Sequence, residues 1–209
     1  MLEGERSIGS PEPSEEQPGF DAMYVAGRPP WDIGRSQSAF RDLADRGRLV
    51  GRVLDVGCGT GEHVLMAAAI GLDATGVDTA STAVTIAKEK AVERDLSARF
   101  MTWDVLELAD LGESFDTVLD CGLFHVFDDH DRPTFVDALR ASMPSGGRYY
   151  MLCFSDLEPG DWGPRRIHQD EIRASFSDGW RVEEIEPAEL EITLEPGSAR
   201  AWLASILRT

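Results

Sequence analysis

The sequence predicts an α/β fold, a doubly wound and mostly parallel sheet with helices on both faces. Three observations predict it. Short apolar runs alternate with helical stretches from residue 50 onward. The first of these runs passes through a glycine turn straight into a helix, and sheets of this kind bind ligands outside the carboxyl ends of their strands. Finally, 42% hydrophobic residues in a chain of 209 supply apolar material for the core of one domain.

Residues 1–19 read as a disordered leader. Of these, 14 are Glu, Pro, Ser or Gly, and so little apolar surface cannot offset the entropy of ordering. The globular part is expected over 20–209. Phe40, Leu43 and Ala44 recur at helical spacing within 36–48, and Gly47 stops that helix. Arg52 to Val56 is a buried strand ending at the glycine turn, and Glu62 to Ile70 is a helix closed by Gly71. Ala74 to Val77 is the second strand. Ser81 to Arg94 is a long helix rich in Ala, Lys and Glu, with Ser81 or Thr79 as its cap. Ala98 to Thr102 and Phe115 to Leu119 are the third and fourth strands, and Asp131 to Ser142 is a helix that stops at 144–147. Arg148 to Phe154 is the fifth strand and Gln169 to Phe176 a short helix. Trp180 to Ile185 and Arg200 to Leu207 can pair as closing strands, although the periodicity of the second fits a helix equally well.

Charge narrows the function. With 38 acidic and 20 basic residues the formal charge is −18, and such a surface repels phosphates unless a basic stripe intervenes. The densest basic spot is Arg165-Arg166, so no nucleic-acid partner is expected, nor an acidic membrane surface. There is no run of 18 apolar residues and no apolar signal-like start. Cys58, Cys121 and Cys153 form no metal-type pair and leave an odd thiol, a usage that suits a reducing compartment. A cytoplasmic protein with a small-molecule partner is expected.

The sharpest signal is the stretch Val53 to Gly61, VLDVGCGTG. Gly57, Gly59 and Gly61 let the backbone approach a ligand closely, and the helix that follows offers free N–H groups to an anionic end. A dinucleotide fingerprint wants its third glycine where Glu62 stands, and a phosphate loop wants a Lys-Ser/Thr that is absent. Asp55 stands two residues before the turn, where an NAD site has no need of a carboxylate. A ligand with an ammonium and a carboxylate fits better, the ammonium met by backbone carbonyls or an acid and the carboxylate by the loop amides. Asp78 ends the second strand, where one carboxylate accepts both hydroxyls of a ribose. Asp104 follows the third strand, within reach of an adenine amino group.

Together these residues resemble class I S-adenosylmethionine-dependent methyltransferases. The resemblance rests on Leu54 to Gly61, Gly76-Val-Asp78, Asp104, Phe115 to Leu119 and Met143 to Gly147, and it covers roughly residues 50–155 as a cofactor-binding core. It implies a seven-stranded, Rossmann-like methyltransferase sheet whose last strand is antiparallel. It also implies S-adenosyl-L-methionine as cofactor and S-adenosyl-L-homocysteine as product. Gly57, Cys58, Gly59 and Thr60 would surround the methionyl moiety, Asp78 would hold the ribose, and Thr79 and Val105 would flank the adenine. Cys121 reads as a small residue lining the cofactor. Upstream, Pro29-Pro-Trp-Asp-Ile-Gly-Arg-Ser-Gln37 resembles the thiopurine, thiol and halide methyltransferase branch. That implies an N-terminal helical cover over 20–48, with the Trp31 indole shielding a sulfonium; packing of the N-terminal helix is the other reading of Trp31.

Methyl transfer from a sulfonium is an in-line displacement, so the protein mainly positions the reactants about 3 Å apart and excludes water. A base matters for a phenol, less for a thiol and not at all for a halide. The candidate base is His125, just past the fourth strand, with Leu123, Phe124 and Phe127 as an apolar acceptor pocket. A histidine satisfied in its turn by Asp128 or Asp129 is the competing reading. His125 and His130 lack a recognised ligand spacing, so no metal is assigned. Trp162 lies on a loop where a substrate lid would sit, while His63 and His168 receive no role. The expected activity is methyl transfer to a small-molecule thiol, halide or hydroxyl. The rivals are an O-methyltransferase of an aromatic natural product and a non-catalytic protein that binds the cofactor.

Overall fold

A computed structural model of the chain describes residues 19–209. The expected leader, Gly19 apart, lies outside them. The chain runs α1 (Phe20–Ala26), α2 (Ser38–Asp45), β1 (Arg52–Val56), α3 (Glu62–Ala69), β2 (Asp73–Asp78), α4 (Ser81–Glu93), β3 (Arg99–Thr102), β4 (Thr117–Cys121), α5 (Asp131–Ala141), β5 (Arg148–Phe154), α6 (Gln169–Ser175), β6 (Trp180–Glu191) and β7 (Ser198–Arg208). Short 3-10 turns at Val105–Leu111 and Phe124–Val126 fill two stretches that carry no periodic signal.

The seven strands form one sheet in the order β3-β2-β1-β4-β5-β7-β6. The first five in that order are parallel, while β7 is antiparallel to both β5 and β6. The sheet is therefore mixed and closes with a long antiparallel hairpin. β7 lies between two strands, and both its faces are covered: Trp202, Ala204 and Ile206 join one apolar layer, Ala199 and Ala201 the other. A strand buried on both sides carries no polar face, which is why its sequence reads equally as a helix.

Alternation along each strand divides the core. Leu54, Val56, Tyr149, Met151 and Cys153 face α5 and α6, while Val53, Tyr150, Leu152 and Phe154 face α2, α3 and α4. β4 begins two residues later than expected, because the Phe115 amide is held by the Ser142 carbonyl before the ladder starts.

The expected capping of α4 is corrected. Its N-cap is Ala80 and makes no side-chain cap hydrogen bond. Asp21 of α1 instead accepts from the Thr82 amide at 2.8 Å, so a carboxylate from another helix meets the helix's positive end. Tyr24 packs with Ala80 and Ala83 at the same place. In register, Val56 lies beside Val77 and Asp120, and Asp78 beside Thr102. The residues singled out in the sequence thus collect along one edge of the sheet. No helix among the described residues is long and apolar enough to cross a membrane.

Candidate active site

The glycine turn joins β1 to α3. Gly59 and Gly61 have φ of 50° and 84°, and neither has room for a side chain. A Cβ on Gly59 would stand 2.7 Å from the Tyr24 hydroxyl, and one on Gly61 would stand 2.6 Å from the Phe100 ring. Cys58 is buried against β2 and Cys121 ends β4; burial pushes both thiols up and keeps them protonated. Neither is therefore a nucleophile.

The three acids differ. Asp78 accepts from the Gly59 amide through Oδ2 and from the Ala80 amide through Oδ1, both at 2.8 Å. Burial pushes its carboxyl up and these two amides oppose the shift, so its orientation is fixed and each oxygen keeps a free lone pair. Asp104 is exposed, and its Oδ1 accepts from the Leu106 amide at 2.9 Å, capping the turn that carries the buried Val105. Asp55 is wholly buried, and neither of its carboxylate oxygens has a hydrogen-bond partner among the described residues. A carboxylate in a closed interior with no hydrogen bond, and the His63 ring 3.4 Å away beside it, is expensive, a cost that a cationic ligand would offset.

The N-terminal segment lies against this edge. The Trp31 indole N–H donates to the Tyr24 hydroxyl at 2.9 Å, and its ring is 38% exposed. Thr60 donates to Asp32 at 3.1 Å and accepts from Lys90 at 2.7 Å, so its hydroxyl ties the N-terminal segment to the turn. Gln37 bonds the Glu191 backbone with both ends of its amide, at 3.0 and 2.8 Å. Thr79 is exposed at the end of β2.

On the acceptor side, His125 is buried, and its Nδ1 accepts from the Phe154 amide at 3.1 Å. Its partner is therefore in β5 and is neither Asp128 nor Asp129. With Nδ1 accepting, the neutral ring carries its proton on Nε2, and burial holds the imidazole down to about 4. His125, Phe154 and Trp162 form an aromatic row with centroids 5.3 and 5.4 Å apart. The Arg166 guanidinium lies over Phe154 and Trp162 and donates to the carbonyls of Pro159, Gly160, Trp162 and Pro164. The expected pocket of Leu123, Phe124 and Phe127 is corrected. Phe124 is fully buried against Phe176, and Phe127 packs on Phe135 under α5; only Leu123 faces the glycine turn.

Comparison with known proteins accounts for this edge. Residues 53–147 match the family model described as a methyltransferase domain. A 2-heptyl-1-hydroxyquinolin-4(1H)-one methyltransferase of Mycobacteroides abscessus is 34% identical over 171 residues, 79% of this chain and 74% of that protein. The chain belongs to the class I S-adenosylmethionine-dependent methyltransferases. A probable thiol methyltransferase 2 of Arabidopsis thaliana is 30% identical, covering 73% of this chain and 69% of the relative. A solved structure concerned with conversion of a disulfide bond into a thioacetal group during echinomycin biosynthesis is 34% identical, with a TM-score of 0.82 over 90% of this chain and 91% of that one. The methyltransferase uses S-adenosylmethionine and acts on small-molecule acceptors. The residues fit that donor, with an orphaned buried carboxylate for its ammonium and a fixed carboxylate at the end of β2 for its ribose.

Sequence reasoning missed Tyr24, Gln37, His63 and Asp120. His63 is buried, with Nδ1 3.4 Å from the Asp55 Oδ2. Asp120 is buried and accepts from the Tyr149 hydroxyl at 2.6 Å and from the Leu123 amide at 2.8 Å, fixing the turn before His125. Only Asp120 gave a signal, as an acid interrupting an apolar strand.

Proposed function

We propose that this methyltransferase acts on an acceptor that reaches the site already ionised, a thiol or an acidic hydroxyl on a flat ring. The observation that carries this reading is the Phe154 amide on His125 Nδ1. A ring whose lone pair is engaged, and whose other nitrogen bears the proton, can donate to an anion but cannot take a proton from an alcohol. S-adenosylmethionine supplies the electrophilic methyl group. The chain's own residues do the rest: Asp55 meets the ammonium, the backbone of Gly57 to Thr60 cradles the methionyl part, and Asp78 takes the ribose. Thr79, Val105 and the free oxygen of Asp104 border the adenine, Cys121 lines the floor, and Trp31 covers the cleft. The row of Phe154 and Trp162 offers an aromatic wall to a planar acceptor.

The named relatives support it. One acts on a 1-hydroxyquinolone and one is described as a thiol methyltransferase, and both groups ionise more readily than a simple alcohol. The charge of −18 keeps nucleic acid away, and three free cysteines suit a reducing cytoplasmic setting. The test is turnover against pH for thiols, N-hydroxyquinolones and phenols, in the parent and in His125→Gln, which keeps a donor near Nε2. The rising limb should follow each acceptor's own ionisation and keep its shape in the variant. A limb that disappears on substitution would make His125 the base after all.

A further inference from the structure

We propose that His63 is a positioning residue for the methyl donor, holding the buried Asp55 carboxylate ready for the donor's ammonium and linking it to the end of the N-terminal cover. The proposal rests on Asp55 being the ammonium's partner. The Gln37 backbone N–H donates to His63 Nε2 at 3.2 Å, separately from its side-chain amide. That nitrogen therefore keeps its lone pair, and the single proton of the neutral ring sits on Nδ1. Nδ1 lies 3.4 Å from Asp55 Oδ2 without closing a hydrogen bond to it, so the imidazole sits beside the carboxylate while both its oxygens stay available. The ring plane is fixed by Phe40, edge-on with centroids 4.8 Å apart. Gln37 is itself locked to the Glu191 backbone at both ends of its amide. One line of contacts thus runs from the β6–β7 hairpin through Gln37 and His63 to Asp55.

The choice of a neutral N–H donor has a chemical reason. A lysine or arginine here would neutralise Asp55 and compete with the incoming ammonium. A purely apolar neighbour would leave the carboxylate free to turn away or to take up a proton. An imidazole held in one tautomer steers the carboxylate and leaves its charge for the ligand.

The test compares two ligands that differ at this group. S-adenosylhomocysteine carries the ammonium; 5′-methylthioadenosine lacks the whole amino-acid tail. Calorimetry is run on the parent, Asp55→Asn, His63→Gln and His63→Asn. The asparagine amide falls near Nδ1 and keeps a donor toward Asp55, whereas the glutamine amide falls near Nε2 and keeps only the Gln37 contact. Asp55→Asn and His63→Gln should each weaken S-adenosylhomocysteine by roughly tenfold or more and leave methylthioadenosine within about twofold, while His63→Asn keeps most of the parent's preference. Equal loss of both ligands in His63→Gln, or no loss, overturns the proposal, as does His63→Asn behaving like His63→Gln. If Asp55→Asn leaves the ratio of the two affinities unchanged, the ammonium reading fails and the proposal with it. If Asp55→Asn acts and His63→Gln does not, only the role of His63 falls. Nitrogen NMR of the unaltered protein gives a check that needs no variant: the His63 Nδ1–H signal should move with S-adenosylhomocysteine and stay still with methylthioadenosine, and a proton found on Nε2 contradicts the proposal outright.

Discussion

Asp78 shows how much a single side chain can be asked to do. Two backbone amides fix it before any ligand arrives, so Asp78→Ala removes a brace of the glycine turn together with the ribose contact proposed for it. The expected loss of S-adenosylhomocysteine affinity is about 1.5–3 kcal/mol, the range for hydrogen bonds to a charged group; unchanged calorimetric affinity would take Asp78 out of the site. Asp120 governs stability. Burial pushes its carboxyl up to about 7, against the Tyr149 hydroxyl and the Leu123 and Phe124 amides. A raised acid contributes stability that is present below the unfolded value near 4 and lost as pH rises through 7. His125, held down to about 4, has the opposite slope, losing stability as pH falls below 6.5. Urea midpoints at about pH 5 and pH 7 separate the two. Relative to the parent, Asp120→Asn should favour pH 7, and His125→Gln should favour pH 5. Identical pH responses in all three proteins would contradict both assignments. Asp55 and Asp78 are legible in the sequence because each adjoins a strand end beside a glycine turn. His63, Gln37 and Tyr24 are not, because each acts through a partner far away in the chain, and spacing along one sequence carries no such pairing.

The N-terminal segment, the proposed cover, is held by polar contacts at both ends, Thr60 to Asp32 and Gln37 with Glu191. Loosening either contact should speed hydrogen exchange over residues 29–38 and weaken cofactor binding, with the strands of the sheet unaffected. If Gln37→Ala and Asp32→Ala exchange like the parent, the cover is held by its aromatic packing of Phe20, Tyr24 and Trp31 instead. Helix α4 depends on the same segment. Asp21→Ala removes its only side-chain cap among the described residues and should cost about 1 kcal/mol in thermal or urea unfolding, whereas no change would mean that the Tyr24 contact alone seats α1. The sequence shows that α4 exists and where it starts. It points to Ser81 or Thr79 as the cap because capping rules look only at neighbours in the chain, and here the cap comes from 61 residues away.

At the scale of the molecule, strand-helix alternation made the five parallel strands legible, and the hairpin less so. β7 lacks a polar face, and β6 runs six residues past Ile185 as an outermost strand whose Glu183, Glu184, Glu186 and Glu189 are exposed, with Pro187 among them. Charge and proline on an outermost strand discourage a further strand from pairing there. The formal charge of −18 also makes the fold repel itself. Raising ionic strength from about 10 to about 150 mM shortens the screening length from about 30 to about 8 Å, and Tm should rise. A falling Tm would mean that the surface ion pairs, such as Arg99 with Glu113 at 2.7 Å, outweigh the repulsion.

The Arg166 guanidinium gathers four carbonyls of the 159–164 loop and stacks on Phe154 and Trp162. Because those bonds reach backbone oxygens, they are indifferent to which side chains the loop carries. One residue thus clips the loop beside Phe154, while Gly160 and Gly163, at φ of 75° and 74°, and the Trp162 ring on Phe154 also hold its path. Should this loop border the acceptor, as proposed above, a laboratory search for new acceptors is best made at its remaining positions, with Arg166, Trp162 and the two glycines left alone.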